Sequence, residues 1–127
     1  MLSIEHLSLL VLRLVFGGLM LWNHGLPKLQ KLLSGNLSFA DPLGMGPEAS
    51  LYLAVFSEFL CALFLILGLF TRWVTIPLLF TMFVAAFIVH WSDPLGDKEP
   101  AIMYMAGFLV LLLKGGGRYS LDQLIRK

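Results

Sequence analysis

The stretch ASLYLAVFSEFLCALFLILGLF, residues 49–70, decides the fold class of this chain. It holds 22 residues, of which only Glu58 is charged. A helix of this length is about 33 Å long, which matches the roughly 30 Å hydrocarbon thickness of a bilayer. The stretch therefore predicts a helix that spans a membrane.

The composition of the whole chain agrees with this prediction. Of its 127 residues, 58% are apolar and 13% are charged, and the mean hydropathy is +0.85. A soluble domain carries about 25% charged residues, so this chain has too few to cover a surface in water. The composition and the net charge of +1 exclude a soluble domain, a disordered chain and a nucleic-acid binder. We expect the lipid bilayer to surround the protein.

Three further apolar runs predict three more spans, and alternating strand patterns are absent. The four predicted spans cover residues 7–26, 49–70, 73–91 and 100–113. The prediction is an all-α integral membrane four-helix bundle, a single domain over residues 1–127. A long outer loop joins spans 1 and 2, and a short C-terminal amphipathic helix follows the glycines at 115–117.

Turn-forming residues mark the predicted ends of these spans. Pro27 ends the first span, and Thr71-Arg72 forms a tight turn between the second and third. Residues 92–99 join the third span to the fourth. Basic residues near the span ends then predict the orientation, since they collect on the cytoplasmic side. Five lie on the side of the termini (Arg72, Lys114, Arg118, Arg126, Lys127) and three on the other (Lys28, Lys31, Lys98), which places both termini in the cytoplasm.

Two charged residues, Arg13 and Glu58, lie well inside the predicted spans. A charge at the centre of a spanning helix costs at least about 2.5–3.5 kcal/mol, so such a residue needs a partner inside the bundle. From the helical rise, Arg13 lies about 9 Å and Glu58 about 18 Å below the cytoplasmic boundary. The long arginine side chain can cover most of that difference, so we expect an Arg13–Glu58 ion pair.

Two histidines lie near the opposite boundary. His24 and His90 lie at estimated depths of about 25 Å and 27 Å from the cytoplasmic boundary. Tyr104 lies slightly closer to that boundary than the two histidines do. Together with Glu58 and Arg13 they predict a polar cluster that opens toward the outside. Two simpler interpretations stay open: the ion pair fixes helix register, and the histidines are ordinary interfacial residues. A third alternative is that the two histidines ligate haem or a metal ion. No ligand-spacing motif supports a metal site, so none is predicted.

The polar residues also form an ordered set that resembles the DoxX family of small four-helix bacterial membrane proteins. The set comprises Arg13-Leu14 with Gly17-Gly18, then HGLPKL at 24–29, Glu58, LGLFTR at 67–72, His90 and GGGRYSLD at 115–122. At Gly116 the family often has proline. The resemblance covers nearly the whole chain and implies an inner-membrane protein linked to redox chemistry.

The leading hypothesis is a membrane component of an oxidoreductase system that interacts with quinone or quinol. A quinone ring needs an apolar slot and a few groups that exchange protons with its oxygens. Glu58, His24 and His90 are the candidate catalytic residues, and Arg13 and Tyr104 complete the candidate quinone-binding set. The electrons would come from a redox partner protein, and it is uncertain whether this chain is itself an enzyme.

Two alternative functions belong to other classes. The first is a non-enzymatic membrane assembly or chaperone-like subunit, in which Arg13 and Glu58 are structural. The second is a small proton-coupled transporter, because ionisable residues inside spans often mark pathways. Four spans are few for a transporter, so that alternative requires a homo-oligomer, and the oligomeric state stays open.

Overall fold

The computed structural model describes residues 4–39 and 41–125, and within them every regular element is helical. Arg126 and Lys127, which the orientation argument uses, lie outside the described residues. The elements are four long helices and one short one: α1 (Ile4–Leu33), α2 (Pro47–Leu67), α3 (Thr71–Val89), α4 (Leu95–Lys114) and α5 (Leu121–Ile125).

Three of these helices, α1, α2 and α3, are long and apolar enough to cross a membrane. The fourth, α4, has 20 residues, but Asp97, Lys98 and Glu99 occupy its first turns. Its uninterrupted apolar part is therefore the 14-residue stretch 100–113 that the sequence marked as short.

Two helices extend beyond the bounds expected from the sequence. Helix α1 does not end at Pro27 but continues to Leu33. Pro27 is tolerated because it lies in the first turn after a π-helical segment, where its missing N–H removes no regular α-helical bond. Helix α4 begins at Leu95, directly after Pro94, so residues 95–99 are helical rather than loop.

The turn between α2 and α3 lies earlier than predicted. Gly68 and Phe70 have φ angles of 72° and 52°, both in the left-handed region. Helix α3 begins at Thr71, so Thr71-Arg72 forms its first turn and not the connection. The glycine allows α2 to end sharply, because only glycine adopts this conformation without strain.

The helices pack around a core of large apolar side chains. Met20, Leu65, Leu78 and Phe108 are fully buried, one from each long helix. Apolar side chains also cover the exterior of the bundle, with Val11, Leu53, Phe80 and Leu109 more than 40% exposed. An apolar surface of this kind is suited to contact with lipid, as the sequence predicted.

Three of the long helices contain a π-helical segment, namely Leu21–Gly25 in α1, Phe56–Cys61 in α2 and Ala85–Val89 in α3. Such segments insert an extra residue into the helix and are frequent at functional sites. His24 and Glu58 lie inside two of them, and His90 directly follows the third. The irregular parts of the helices therefore coincide with three of the candidate residues.

Candidate functional site

A cavity of about 460 Å³ lies between α2 and α3. Residues 39–45 of the α1–α2 connection contribute Phe39, Pro42, Leu43 and Met45 to its lining, and α1 contributes Lys28. Most of the wall is apolar and includes Leu53, Phe56, Phe80 and Val89. The few polar side chains on the wall are Lys28, Ser50, Ser57, Glu58, Thr81 and His90.

An ion pair between Lys28 and Glu58 supplies the charge in this cavity. Lys28 Nζ lies 2.6 Å from Glu58 Oε1 and donates a hydrogen bond to it. The Glu58 side chain is only 3% exposed, whereas that of Lys28 is 24% exposed. A buried carboxylate requires such a partner, and the lysine reaches it because α1 continues beyond Pro27.

The ion pair expected between Arg13 and Glu58 is therefore wrong. Arg13 is 2% exposed and donates four hydrogen bonds of 2.9–3.0 Å to backbone carbonyl oxygens instead. Two acceptors, Leu65 and Ile66, belong to the last turn of α2, and two, Gly116 and Tyr119, belong to the segment after α4. The carbonyls at the end of a helix have no partner within the helix, and a guanidinium satisfies several of them at once.

The turn that Arg13 contacts is also held by Asp122. Its carboxylate accepts hydrogen bonds from the backbone N–H groups of Phe70 and Thr71, with N···O distances of 2.6 and 2.9 Å. The N–H group of Asp122 donates to the carbonyl of Gly68 at 2.9 Å. We call Arg13, residues 65–71 and residues 116–122 the clasp, because these contacts tie α1, the α2–α3 turn and the C-terminal segment together.

The hydroxyl groups and the histidine of the cavity lie at different depths. Thr81 donates a hydrogen bond of 2.8 Å to Ser57 across the α2–α3 interface. His90 lies at the end of α3, where its Nδ1 is 2.7 Å from a carboxylate oxygen of Asp93. His90 lines the cavity and its side chain is 42% exposed, so it lies at the open rim with Asp93 beside it.

His24 and Tyr104 do not line the cavity. Their rings pack edge to face with centroids 5.6 Å apart, between α1 and α4. The structure thus places Glu58 and His90 on the wall of one cavity and Arg13 in the clasp. His24 and Tyr104 pack together outside the cavity wall, beside the crossing of α1 and α2 that holds Glu58. The single cluster of five residues that the sequence predicted is divided into three groups.

Sequence reasoning missed the lysine that the site uses. Lys28 follows His24 by four residues, a spacing that places two residues on the same face of a helix. The sequence contained that signal, but Pro27 indicated that the helix had already ended. Ser57 and Thr81 carry no comparable signal, because hydroxyl groups are common inside spanning helices.

Gly25 explains how Glu58 comes so close to α1. A Cβ atom at position 25 would collide with the carbonyl group of Glu58 and lie 2.8 Å from the Cα atom of Phe59. Backbone therefore meets backbone where the π-helical segments of α1 and α2 cross. This close approach directs Lys28, one turn further along α1, toward the carboxylate.

These observations define the class of the protein: a helical membrane protein with a buried carboxylate–ammonium pair on the wall of an apolar cavity. Within that class the chain belongs to the DoxX family, whose family model matches residues 8–91. The match begins in α1, contains the Lys28–Glu58 pair and ends directly after His90. Family membership indicates a membrane protein associated with oxidoreductase-related function. Comparison with curated proteins and with solved structures finds no match.

Proposed function

We propose that the chain is a four-span inner-membrane component of an oxidoreductase system and that the cavity between α2 and α3 binds the head group of a quinone or quinol. The observation that carries this proposal is the Lys28–Glu58 pair on the wall of an apolar cavity of about 460 Å³. Cavities that bind small molecules are mostly apolar, measure roughly 300–1,000 Å³ and contain a few polar groups that orient the ligand.

The side chains on the wall fit this chemistry. A bound quinone supplies a flat ring whose two oxygens take up protons when the ring is reduced. Lys28 donates a hydrogen bond to an oxygen that gains negative charge, and Glu58 holds or releases a proton next to it. Phe56 and Phe80 provide apolar contacts for the ring.

His90 and Asp93 are assigned to proton exchange with solvent. His90 lies at the exposed rim of the cavity and shares a hydrogen bond with Asp93, which is exposed beside it. A histidine changes its charge near neutral pH more readily than other side chains, which suits a relay between water and a buried carboxylate.

The remaining candidates act at a distance from the head group. His24 belongs to the π-helical segment that contacts Glu58 through Gly25, so we assign His24 and its neighbour Tyr104 to positioning α1. We assign Arg13 to the stability of the bundle. No cluster of metal-ligating side chains occurs within residues 4–39 and 41–125, and the electrons are proposed to come from a separate redox partner protein.

The proposed orientation places both termini and the clasp in the cytoplasm. The first turns of α4 then lie near the outer surface, where Asp97, Lys98 and Glu99 reach water. The 14 apolar residues that follow complete a fourth span with the help of those polar turns. The connection between α1 and α2 covers the cavity from the outer side.

Replacing Lys28 by methionine is expected to weaken binding of a quinone analogue at least about tenfold, because each charge-assisted hydrogen bond contributes about 1.5–3 kcal/mol. The measurement is a titration of the purified chain in detergent with the quinone analogue, in which binding is monitored by tryptophan fluorescence quenching or by calorimetry. Lys31→Met is the matched control, since Lys31 lies on the same helix and is absent from the cavity wall.

Equal affinities of the two variants would contradict the assignment of Lys28. A wild-type chain that neither co-purifies with quinone nor binds the analogue at saturating concentration would overturn the proposed function. If binding is lost in both variants, α1 itself has been disturbed, and circular dichroism identifies that result.

A further inference from the structure

We propose that the bundle binds the phosphate group of an anionic membrane lipid at the end opposite the Lys28–Glu58 cavity. A second cavity, of about 760 Å³, lies where α3 begins and α4 ends. The rest of its wall comes from residues 115–117, Ser120, α5, Phe70 and His6 of α1. It shares no lining residue with the first cavity, so this inference does not depend on the proposed function.

Arg72 is the main candidate ligand for the phosphate. It lines the second cavity and makes one long hydrogen bond, 3.4 Å from Nη2 to the carbonyl oxygen of Leu113. None of the ion pairs among residues 4–39 and 41–125 involves it. The fork of a guanidinium fits two oxygens of a phosphate, so Arg72 has both the charge and the free donors that such a ligand requires.

Lys114 adds a second positive charge to the lining of the same cavity. It pairs with Glu5 at 2.8 Å, but the two side chains are 57% and 56% exposed. Exposed pairs of this kind are weak because water screens them. Glu5 does not line the cavity, so a phosphate inside it competes directly with that carboxylate for Lys114.

Thr71 gives an independent indication of a missing acceptor. The residue lines the cavity and is 1% exposed, and its Oγ1 has no hydrogen-bond partner within the described residues. Buried hydroxyl groups are nearly always hydrogen-bonded. The carboxylate of Asp122 on the same wall accepts hydrogen bonds from two backbone N–H groups, and the two cations Arg72 and Lys114 outnumber its single negative charge.

A lipid fits this cavity better than free phosphate does, because part of its wall is apolar. Trp73, Ile76, Leu112 and Ile125 line it together with the basic residues, and the Trp73 side chain is 75% exposed. Tryptophan concentrates at the membrane–water boundary, and basic pockets between helices bind anionic head groups there. The acyl chains would lie along the apolar part of the wall.

The test uses the full chain in detergent and counts bound lipid by native mass spectrometry. The probes are phosphatidylglycerol, phosphatidylcholine and inorganic phosphate. The wild-type chain is expected to prefer phosphatidylglycerol over phosphatidylcholine at least about fivefold, and Arg72→Gln to lower phosphatidylglycerol binding by a similar factor. Lys98→Gln, which removes one positive charge at the other end of the bundle, is expected to change nothing.

A second variant is expected to increase lipid binding, whereas Arg72→Gln decreases it. Glu5→Gln frees Lys114 and is expected to increase phosphatidylglycerol binding about two- to fivefold, whereas the control Glu99→Gln leaves it unchanged. Equal binding of the two lipids by the wild-type chain, or Glu5→Gln binding no better than wild type, would overturn the proposal. So would inorganic phosphate that displaces phosphatidylglycerol completely at an equal concentration.

Discussion

Replacing Arg13 by methionine is expected to lower the free energy of unfolding by at least about 3 kcal/mol, since it leaves several buried carbonyl groups without a donor. Arg13 is 2% exposed and donates four hydrogen bonds to the backbone of two separate parts of the chain, the last turn of α2 and the segment after α4. Methionine fills much of the same volume but donates none of them. The measurement is an unfolding experiment on the purified chain in mixed micelles, in which far-ultraviolet circular dichroism monitors the loss of helix.

Arg118→Met is the matched control. Arg118 lies in the clasp segment but is exposed, and within the described residues its side chain makes no hydrogen bond. We expect its replacement to change the free energy of unfolding by less than about 0.5 kcal/mol. Equal stabilities of the two variants would mean that the clasp does not hold the bundle together.

The same measurement separates the clasp from the ion pair that the sequence suggested. In a double-mutant cycle, Arg13→Met and Glu58→Gln are expected to be additive within about 0.5 kcal/mol, because the two residues share no partner. A coupling energy well above that value would show that the two side chains interact after all.

The sequence predicted that Arg13 is buried and needs a partner, but not which partner it has. Inside a membrane an arginine has to meet either a carboxylate or backbone oxygens. Glu58 was visible in the sequence as a carboxylate, whereas carbonyl groups are present at every position and carry no sequence signal. The acceptors became available only because α2 ends sharply at Gly68 and the glycines at 115–117 let the chain return beside it.

The apolar runs predicted the helices well because a bilayer demands long apolar segments. Their ends were harder to predict. Pro27 looked like a terminator, yet the π-helical segment before it let α1 continue and brought Lys28 to Glu58. A π-helical segment depends on one extra residue within a turn, and neither composition nor periodicity reveals that residue.

Replacing Gly25 by alanine is expected to destabilise the bundle by at least about 2 kcal/mol, because overpacked sites relax only by moving backbone. The new methyl group would meet the carbonyl group of Glu58 and the Cα atom of Phe59, and neither can rotate away. Helices α1 and α2 would have to separate where they cross. The unfolding measurement in mixed micelles checks this prediction.

Gly18→Ala on the same helix is the control that isolates packing from helix propensity. No atom lies within 4 Å of a Cβ at position 18, so the change removes only the conformational freedom of glycine. Alanine in a helix interior is favoured over glycine by about 1 kcal/mol, so Gly18→Ala should be neutral or stabilising. If both alanine variants are equally stable, α1 and α2 do not meet backbone to backbone at Gly25.

The Gly25 variant also links the fold to the proposed site. Separating α1 from α2 increases the distance from Lys28 to Glu58, which is 2.6 Å in the native bundle. We therefore expect Gly25→Ala to weaken binding of a quinone analogue even in micelles where the variant stays folded, whereas Gly18→Ala binds as the wild type does. Unchanged affinity in a folded Gly25→Ala chain would mean that the crossing of α1 and α2 does not position the ion pair for its ligand.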